Sequence, residues 1–295
     1  MIERPKQWLL SLIPLFYCLA ACASSPQGPK ANDDGDRYIP IASFGESIVE
    51  QTIKDMDDKR VLYAFDIDNT LLTHPKGQFF GSDQWYDWQK SLEDDSPAKI
   101  ACRLQIQGAA YHMAHFVLTE PNLTAAIVEG LQNAGKDVIA LTSRSPQFRY
   151  PTERELDKNG IDFTKTMPRK FAGIPGYYYP KKTPNIPDPR DASYQNGIAM
   201  LAGQHKGDAL VDLLDRIGAA KDYDFVVFFD DKKRYIDQVV STFSSDSRTA
   251  IAFLYTAVDT DLSKVDFKRA IRGQVRVADA YDHFVRRAGP GCDIG

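Results

Sequence analysis

The sequence has few cysteines, no excess of basic residues and no long hydrophobic run. Lysine and arginine total 36 against 40 aspartate and glutamate residues, so the formal net charge is −4 and the sequence pI is about 5.8. Nucleic-acid-binding proteins typically carry a basic surface, so we expect no nucleic-acid partner. The 295 residues, 43% hydrophobic and 11% aromatic, are enough for one core of ordinary size and an accessory lobe.

The four cysteines and five histidines are not grouped with the spacing of a zinc site. His112 and His115 stand three residues apart, which suits one helix face, and we interpret them as ordinary helix residues. Cys102 and Cys292 can pair only in an oxidising compartment, and their spacing leaves that pairing open.

The longest apolar stretch, at residues 8–21, is too short to span a bilayer comfortably but has the length of a signal-peptide core. It ends in Leu19-Ala20-Ala21-Cys22, which resembles the lipobox of bacterial lipoproteins. The resemblance implies acylation of Cys22 and a lipid-anchored protein on the bacterial cell envelope, at the outer membrane facing the periplasm or the exterior. An ordinary signal peptide with a chance cysteine is the alternative.

Composition and hydrophobic spacing divide the chain into a signal peptide, a flexible tether, a core and two inserts. The predicted boundaries are 1–21 for the signal peptide, 22–40 for the tether, 41–72 and 121–289 for the core, 73–120 for a cap insert, and 165–203 for a second insert that forms a hairpin or flap. The aromatic residues of the cap insert either roof a substrate or form the insert's own small core. We favour the core role.

Strand-length runs alternate with helical periodicity along the core. Residues 61–65, 138–141, 225–229 and 251–255 are all apolar or aromatic, which is typical of strands buried on both faces of a parallel sheet. Helices separate these strands, and Asn122 is placed to cap one of them. The sequence therefore predicts an α/β fold, with a three-layer Rossmann-like core and a parallel sheet.

Polar residues follow three of these strands at the edge where α/β sheets bind ligands. They are Asp66 and Asp68 after the first strand, Thr142 after the second, and Asp230 and Asp231 after the third, with Lys206 at the start of the preceding helix. Burying carboxylates from two strands without a partner is costly. A hard cation with oxygen ligands, most simply Mg²⁺, removes that cost.

These residue types suit the transfer of a phosphoryl group. Lys206, Thr142 and the cation can neutralise or hydrogen-bond phosphoryl oxygens, which leaves Asp66 to attack phosphorus. Asp68 can then protonate the leaving oxygen and activate a water molecule.

The sequence Asp66-Ile67-Asp68-Asn69-Thr70, followed in order by Thr142, Lys206 and Asp230-Asp231, resembles the four motifs of the haloacid dehalogenase-like (HAD) superfamily. The resemblance implies a HAD core with a helical cap inserted after the first core strand. It also implies a nucleophile at Asp66, an acid/base at Asp68, phosphate binding by Thr142 and Lys206, and Mg²⁺ ligands from Asp66, the carbonyl of Asp68, Asp230 and Asp231. The adjacent pair leaves open which of Asp230 and Asp231 contacts the metal directly.

A narrower resemblance is carried by residues 65–71 together with 81–85. They look like an uncharacterised bacterial family of HAD-type proteins that contains a domain of unknown function. That family supplies no substrate.

The expected function is an Mg²⁺-dependent phosphatase that hydrolyses a small phosphomonoester through an aspartyl-phosphate. Asp68 disfavours dehalogenation, because HAD dehalogenases lack a matching second acid. The alternatives are a non-catalytic surface-binding lipoprotein with this fold and a phosphotransferase that uses the same residues. Arg144 and Arg149 either bind a second substrate anion or are solvated at the surface, and we favour solvation.

Overall fold

The computed structural model describes residues 38–76, 78–100, 103–168, 173–258, 265 and 267–288. The predicted signal peptide with Cys22, most of the predicted tether, and both Cys102 and Cys292 lie outside these residues. Within the described residues, no helix is long and apolar enough to cross a membrane.

The structure alternates strands with helices, as the sequence predicts. The strands are β1 (Ile39–Ile41), β2 (Val61–Phe65), β3 (Leu72–Thr73), β4 (Val117–Leu118), β5 (Asp137–Thr142), β6 (Ser193–Gln195), β7 (Ile198–Met200), β8 (Phe225–Asp230) and β9 (Thr249–Tyr255). The α-helices are α1 (Ser47–Asp55), α2 (Asp83–Ser91), α3 (Arg103–Met113), α4 (Thr124–Asn133), α5 (Arg149–Lys158), α6 (Lys206–Arg216), α7 (Lys233–Ser244) and α8 (Phe267–Ala288).

Seven strands form the central sheet, in the order β1-β9-β8-β2-β5-β7-β6. All neighbours are parallel except β6, which pairs antiparallel with β7 at one edge. The four strands predicted from apolar runs are the adjacent strands β9, β8, β2 and β5. The chain continues from β2 to one side of the sheet and later returns to its other side. The carboxyl end of β2 therefore lies at a topological switch point, where ligands bind in α/β proteins.

Alternate residues of β2 belong to two different hydrophobic cores, one on each face of the sheet. Tyr63 and Phe65 pack with buried residues of α1, α4 and α5, whereas Leu62 and Ala64 pack with those of α6 and α7. Burying a large apolar side chain in this way contributes roughly 1.5–3 kcal/mol relative to leaving it exposed. Helices thus flank a mostly parallel sheet, as in Rossmann-like folds.

Two short strands close the base of the helical insert that follows β2. Leu72 of β3 pairs with Leu118 of β4 in an antiparallel register. Within the insert, Trp85 is fully buried and packs with Ile100 and Ile106. The aromatic residues of the insert therefore form its own core, which is the role that the sequence favours.

Helix α8 packs on this insert, although residues 121–289 were predicted as core. The side-chain oxygen of Gln274 accepts hydrogen bonds from Trp85 Nε1 at 3.0 Å and from Gln89 Nε2 at 3.1 Å. The ring of Phe267 lies 5.0 Å from that of Trp88. A buried indole N–H needs an acceptor, and α8 supplies one from the far end of the sequence.

The segment 165–203 ends in a hairpin that joins the central sheet. Asn196 and Gly197 connect β6 to β7 with φ values of 52° and 72°, as in the two-residue turns that suit tight hairpins. A Cβ on Gly197 would lie only 2.7 Å from atoms of Phe163. Because β7 lies parallel to β5, this hairpin widens the sheet beside the switch point.

Candidate functional site

The carboxyl ends of β2, β5 and β8 bring the predicted site residues to one edge of the sheet. Asp66 directly follows β2, Thr142 is the last residue of β5, and Asp230 is the last residue of β8. The parallel register aligns Phe65 with Phe229, so the residues that follow them emerge side by side.

Lys206, the first residue of α6, bridges two of these acids. Its Nζ lies 2.7 Å from Asp66 Oδ1 and 2.6 Å from Asp230 Oδ2, and its side chain is fully buried. The ring centroid of Tyr235 lies 4.4 Å from the same nitrogen. Burial alone would lower the pKa of Lys206, but Asp230 and Asp66 hold it above its usual value. The lysine is therefore a fixed positive charge inside an acidic cluster.

Asp66, Asp230 and Asp231 form that cluster, with one oxygen from each lying within 4.8 Å of the others. Burial raises the pKa of Asp66 to about 8, although the charge of Lys206 opposes the shift. Burial also raises the pKa of Asp230 and that of Asp231. Keeping all three ionised requires more positive charge than one lysine provides.

One fully buried oxygen of the cluster has no hydrogen-bond partner among the described residues. It is Asp231 Oδ1, which is buried, whereas Asp231 Oδ2 accepts a hydrogen bond from Asn69 Nδ2 at 3.3 Å. Asn69 has φ +59°, a conformation that asparagine tolerates better than most residues. An unpartnered buried carboxylate oxygen beside two other carboxylates is a donor set that fits a divalent cation.

Asp68 forms a buried ion pair that the sequence analysis did not foresee. Both of its oxygens accept hydrogen bonds from Arg144, from Nε at 2.8 Å and from Nη2 at 2.7 Å. Arg144 also donates to Thr152 Oγ1 at 3.0 Å and lies 4.3 Å from the ring centroid of Tyr111. Because Arg144 exposes only 2% of its side chain, the expectation that it is solvated at the surface is wrong.

Thr142 lies at the carboxyl edge of the sheet, whereas Arg149 contacts the β6–β7 hairpin. Thr142 Oγ1 accepts the backbone N–H of Arg144 at 3.1 Å, and this bond does not use the hydroxyl proton. Arg149 donates to Ser193 Oγ at 2.7 Å and to the carbonyl oxygen of Ile198 at 3.1 Å. It is only partly exposed, so surface solvation is wrong for this arginine too: it holds the β6–β7 hairpin against α5.

Lys232 links the acidic cluster to the helical insert. Its Nζ lies 2.6 Å from Asp83 Oδ2 and 3.1 Å from Asp87 Oδ2, both on α2. Its backbone N–H donates to Asp230 Oδ1 at 2.8 Å. Lys232 is not among the predicted site residues, although its position directly after Asp230-Asp231 is a usable signal in the sequence.

His112 and His115 lie outside the acidic cluster. His112 belongs to α3, and its ring stacks on that of Tyr150 with centroids 6.4 Å apart. Both histidines are exposed. Helix α3 ends at Met113, so the interpretation as helix residues is confirmed for His112 and wrong for His115.

The fold and the site define an α/β protein with a buried acidic cluster at the switch point of a mostly parallel seven-stranded sheet. Residues 45–284 match the model of a family described as Protein of unknown function (DUF2608). Since this match covers more than half of the 295 residues, the chain belongs to that family. No curated protein and no solved structure matches the chain.

Proposed function

We propose that this protein is an Mg²⁺-dependent phosphatase that hydrolyses a small phosphomonoester through an aspartyl-phosphate at Asp66. The observation that carries the proposal is the group formed by Asp66, Lys206, Asp230 and Asp231, in which two buried carboxylates, one partly buried carboxylate and one buried ammonium group lie together. Phosphoryl transfer relies mainly on positioning and on positive charge around the phosphoryl oxygens.

The order of the motifs along the chain supports the same proposal. The motifs come in the order that HAD phosphatases have, which they resemble. Asp66 and Asp68 follow β2, and Thr142 ends β5. Lys206 begins α6, and Asp230 ends β8 with Asp231 next to it. The helical insert between β3 and β4 would be the cap of such a protein.

The acidic cluster would hold Mg²⁺ through Asp66, Asp230, Asp231 and the backbone carbonyl of Asp68. Oxygen atoms are the ligands that Mg²⁺ prefers. Asp231 Oδ1, which has no hydrogen-bond partner among the described residues, is one atom that would contact the ion. When bound, Mg²⁺ supplies positive charge for the phosphoryl oxygens and keeps the carboxylates ionised.

Asp66 would perform the covalent step. Its carboxylate oxygen forms a bond to phosphorus while the bond from phosphorus to the ester oxygen breaks, and Lys206 and Thr142 orient the phosphoryl group. Asp68 gives a proton to the leaving alcohol and then takes one from the water that releases inorganic phosphate. A carboxylate has about four acceptor sites. Arg144 uses two of those on Asp68, so it can orient this residue and leave room for the water.

The lipid anchor at Cys22 and the cell-envelope location stay predictions of the sequence, because those residues lie outside the described part of the chain. A location on the envelope would place the phosphatase where it meets extracytoplasmic phosphate esters.

Phosphate release should require Mg²⁺. We expect the purified protein to release phosphate from a panel of phosphomonoesters, and we expect chelation with EDTA to slow release by at least about 10³-fold, because a bound metal contributes several kcal/mol to the transition state. Mg²⁺ at 100 times its Kd should also stabilise the fold by about 2.7 kcal/mol. A rise in Tm detects that stabilisation without relying on activity.

The matched variants are Asp231→Asn and Asp215→Asn. Asp231→Asn should lose most of the Tm response to Mg²⁺, whereas Asp215→Asn, at an exposed position on α6, should keep it.

Undiminished phosphate release in EDTA would contradict the metal requirement. If no ester is hydrolysed, a non-catalytic binding role is favoured, and release that depends on an added alcohol acceptor would indicate a phosphotransferase.

A further inference from the structure

A cavity of about 420 Å³ lies between the acidic cluster and helix α2. Asn69 and Asp231 line it, and Asp231 belongs to the acidic cluster, so the cavity adjoins the proposed phosphoryl site. Asp83, Gln84 and Asp87 line its outer wall, and their spacing puts them on neighbouring positions of α2. The volume is within the usual range of small-molecule sites, roughly 300–1,000 Å³.

All eight residues that line this cavity are polar or charged. Three are aspartates, three are basic and two are side-chain amides, so the wall offers both acceptors and donors of hydrogen bonds beside the carbon stems of these side chains. A hydroxyl both donates and accepts, and it therefore matches such a wall at many points. A nucleobase would need an aromatic stacking partner, and none of these eight residues is aromatic.

The basic groups of the wall are held in place by neighbouring side chains, some of which lie outside the wall. Lys232 pairs with Asp83 at 2.6 Å and with Asp87 at 3.1 Å, and Arg234 donates to Tyr235 Oη at 3.1 Å. With equal numbers of acidic and basic side chains, the wall favours a neutral ligand over a strongly charged one. Fixed polar groups bind a matching ligand at a lower ordering cost.

We propose that this cavity binds the leaving group, and that the substrates are phosphate esters of small polyhydroxylated alcohols, such as sugars or polyols. Gln84 and Asp87 are the specificity-determining residues, since they reach the cavity from the insert and stand apart from the phosphoryl site. This inference rests on the proposed phosphatase function.

Three probes separate hydroxyl recognition from simple chemical reactivity: a hexose 6-phosphate, n-hexyl phosphate and a nucleoside 5′-monophosphate. The first two are primary alkyl esters with chains of similar length, and they differ mainly in their hydroxyl groups. We expect kcat/KM for the hexose 6-phosphate to exceed that for each of the other probes by at least about tenfold, because hydrogen bonds to charged side chains discriminate by that factor or more.

Variants on α2 test the two specificity residues. Asp87→Asn and Gln84→Ala should each lower kcat/KM for the hexose 6-phosphate by about tenfold, mainly through KM, and should change the value for n-hexyl phosphate by less than about twofold. Asp94→Asn is the matched control. That aspartate lies in the same insert, pairs with Lys99 and does not line the cavity.

The outcomes separate this inference from the function on which it rests. Equal kcat/KM for the hexose and hexyl esters, or equal effects of the α2 variants on both, would overturn the inference and leave the phosphatase proposal intact. Preference for the nucleotide would also overturn it. Failure to hydrolyse any of the three esters in Mg²⁺ would overturn the phosphatase proposal itself.

Discussion

The Asp66→Asn variant should release phosphate at least about 10⁴-fold more slowly than the wild-type protein, because the amide cannot accept the phosphoryl group as a carboxylate does. The measurement is kcat for phosphate release at saturating ester and Mg²⁺. Asparagine has nearly the shape of aspartate, so the packing around this buried position should be retained. A far-UV spectrum and a thermal melt will show whether the variant is folded.

The control for this loss is an aspartate that has no part in the site. Asp215 lies on the same helix as Lys206 but is exposed. The Asp215→Asn variant should therefore keep the wild-type kcat. If Asp66→Asn retained more than about a tenth of wild-type kcat, another group would have to be the nucleophile.

Lys206→Met should lower the free energy of unfolding by about 3–5 kcal/mol in EDTA, because it removes the positive partner of buried carboxylates. Lys206 is fully buried and lies within 2.7 Å of oxygens of both Asp66 and Asp230. Denaturant unfolding measures the loss. Mg²⁺ should restore part of it, since a cation bound to the same carboxylates stabilises only the folded state.

A surface lysine provides the comparison. Lys59 pairs with Asp58 at 2.9 Å, but both side chains are substantially exposed. Lys59→Met should leave the free energy of unfolding unchanged within experimental error, because exposed ion pairs contribute little to stability. If Lys206→Met were no more destabilising than Lys59→Met, the buried acids could not be ionised together, and the electrostatic account of the site would be wrong.

Local patterns in the sequence were sufficient to predict the core of the fold. The apolar runs at 61–65 and 225–229 became adjacent parallel strands, because residues buried on both faces leave no polar alternation. Parallel pairing then fixed the relative positions of Asp66, Thr142 and Asp230, since the residue after each strand must emerge at the same edge.

Contacts between distant parts of the chain could not be predicted in this way. Arg144 meets Asp68 across 76 residues, and Lys232 meets Asp83 across 149 residues, so neither partner is visible in a local pattern. Gln274 likewise binds Trp85 from near the end of the chain.

The capping prediction at Asn122 was wrong for a similar reason. Helix α4 begins at Thr124 after Leu123, with no side-chain cap. Glu120, four residues before the first residue of the helix, is held by Phe44 and Tyr255, whose backbone N–H and hydroxyl donate to its carboxylate at 2.8 and 2.9 Å. These tertiary contacts, and not the local capping preference, fix where the helix starts.

The central claim is that Asp66 carries the phosphoryl group, and trapping the intermediate tests it most directly. The protein would be mixed with an ester that it hydrolyses, labelled in the phosphoryl group, and the reaction would be quenched in acid within one turnover. The protein would then be digested, and the labelled peptide would be sequenced by mass spectrometry. We expect a hydroxylamine-sensitive label on the peptide that contains Asp66, and borohydride should reduce that residue to homoserine. Phosphate release with no covalent label at any time in the turnover, or a label on another residue, would contradict the account.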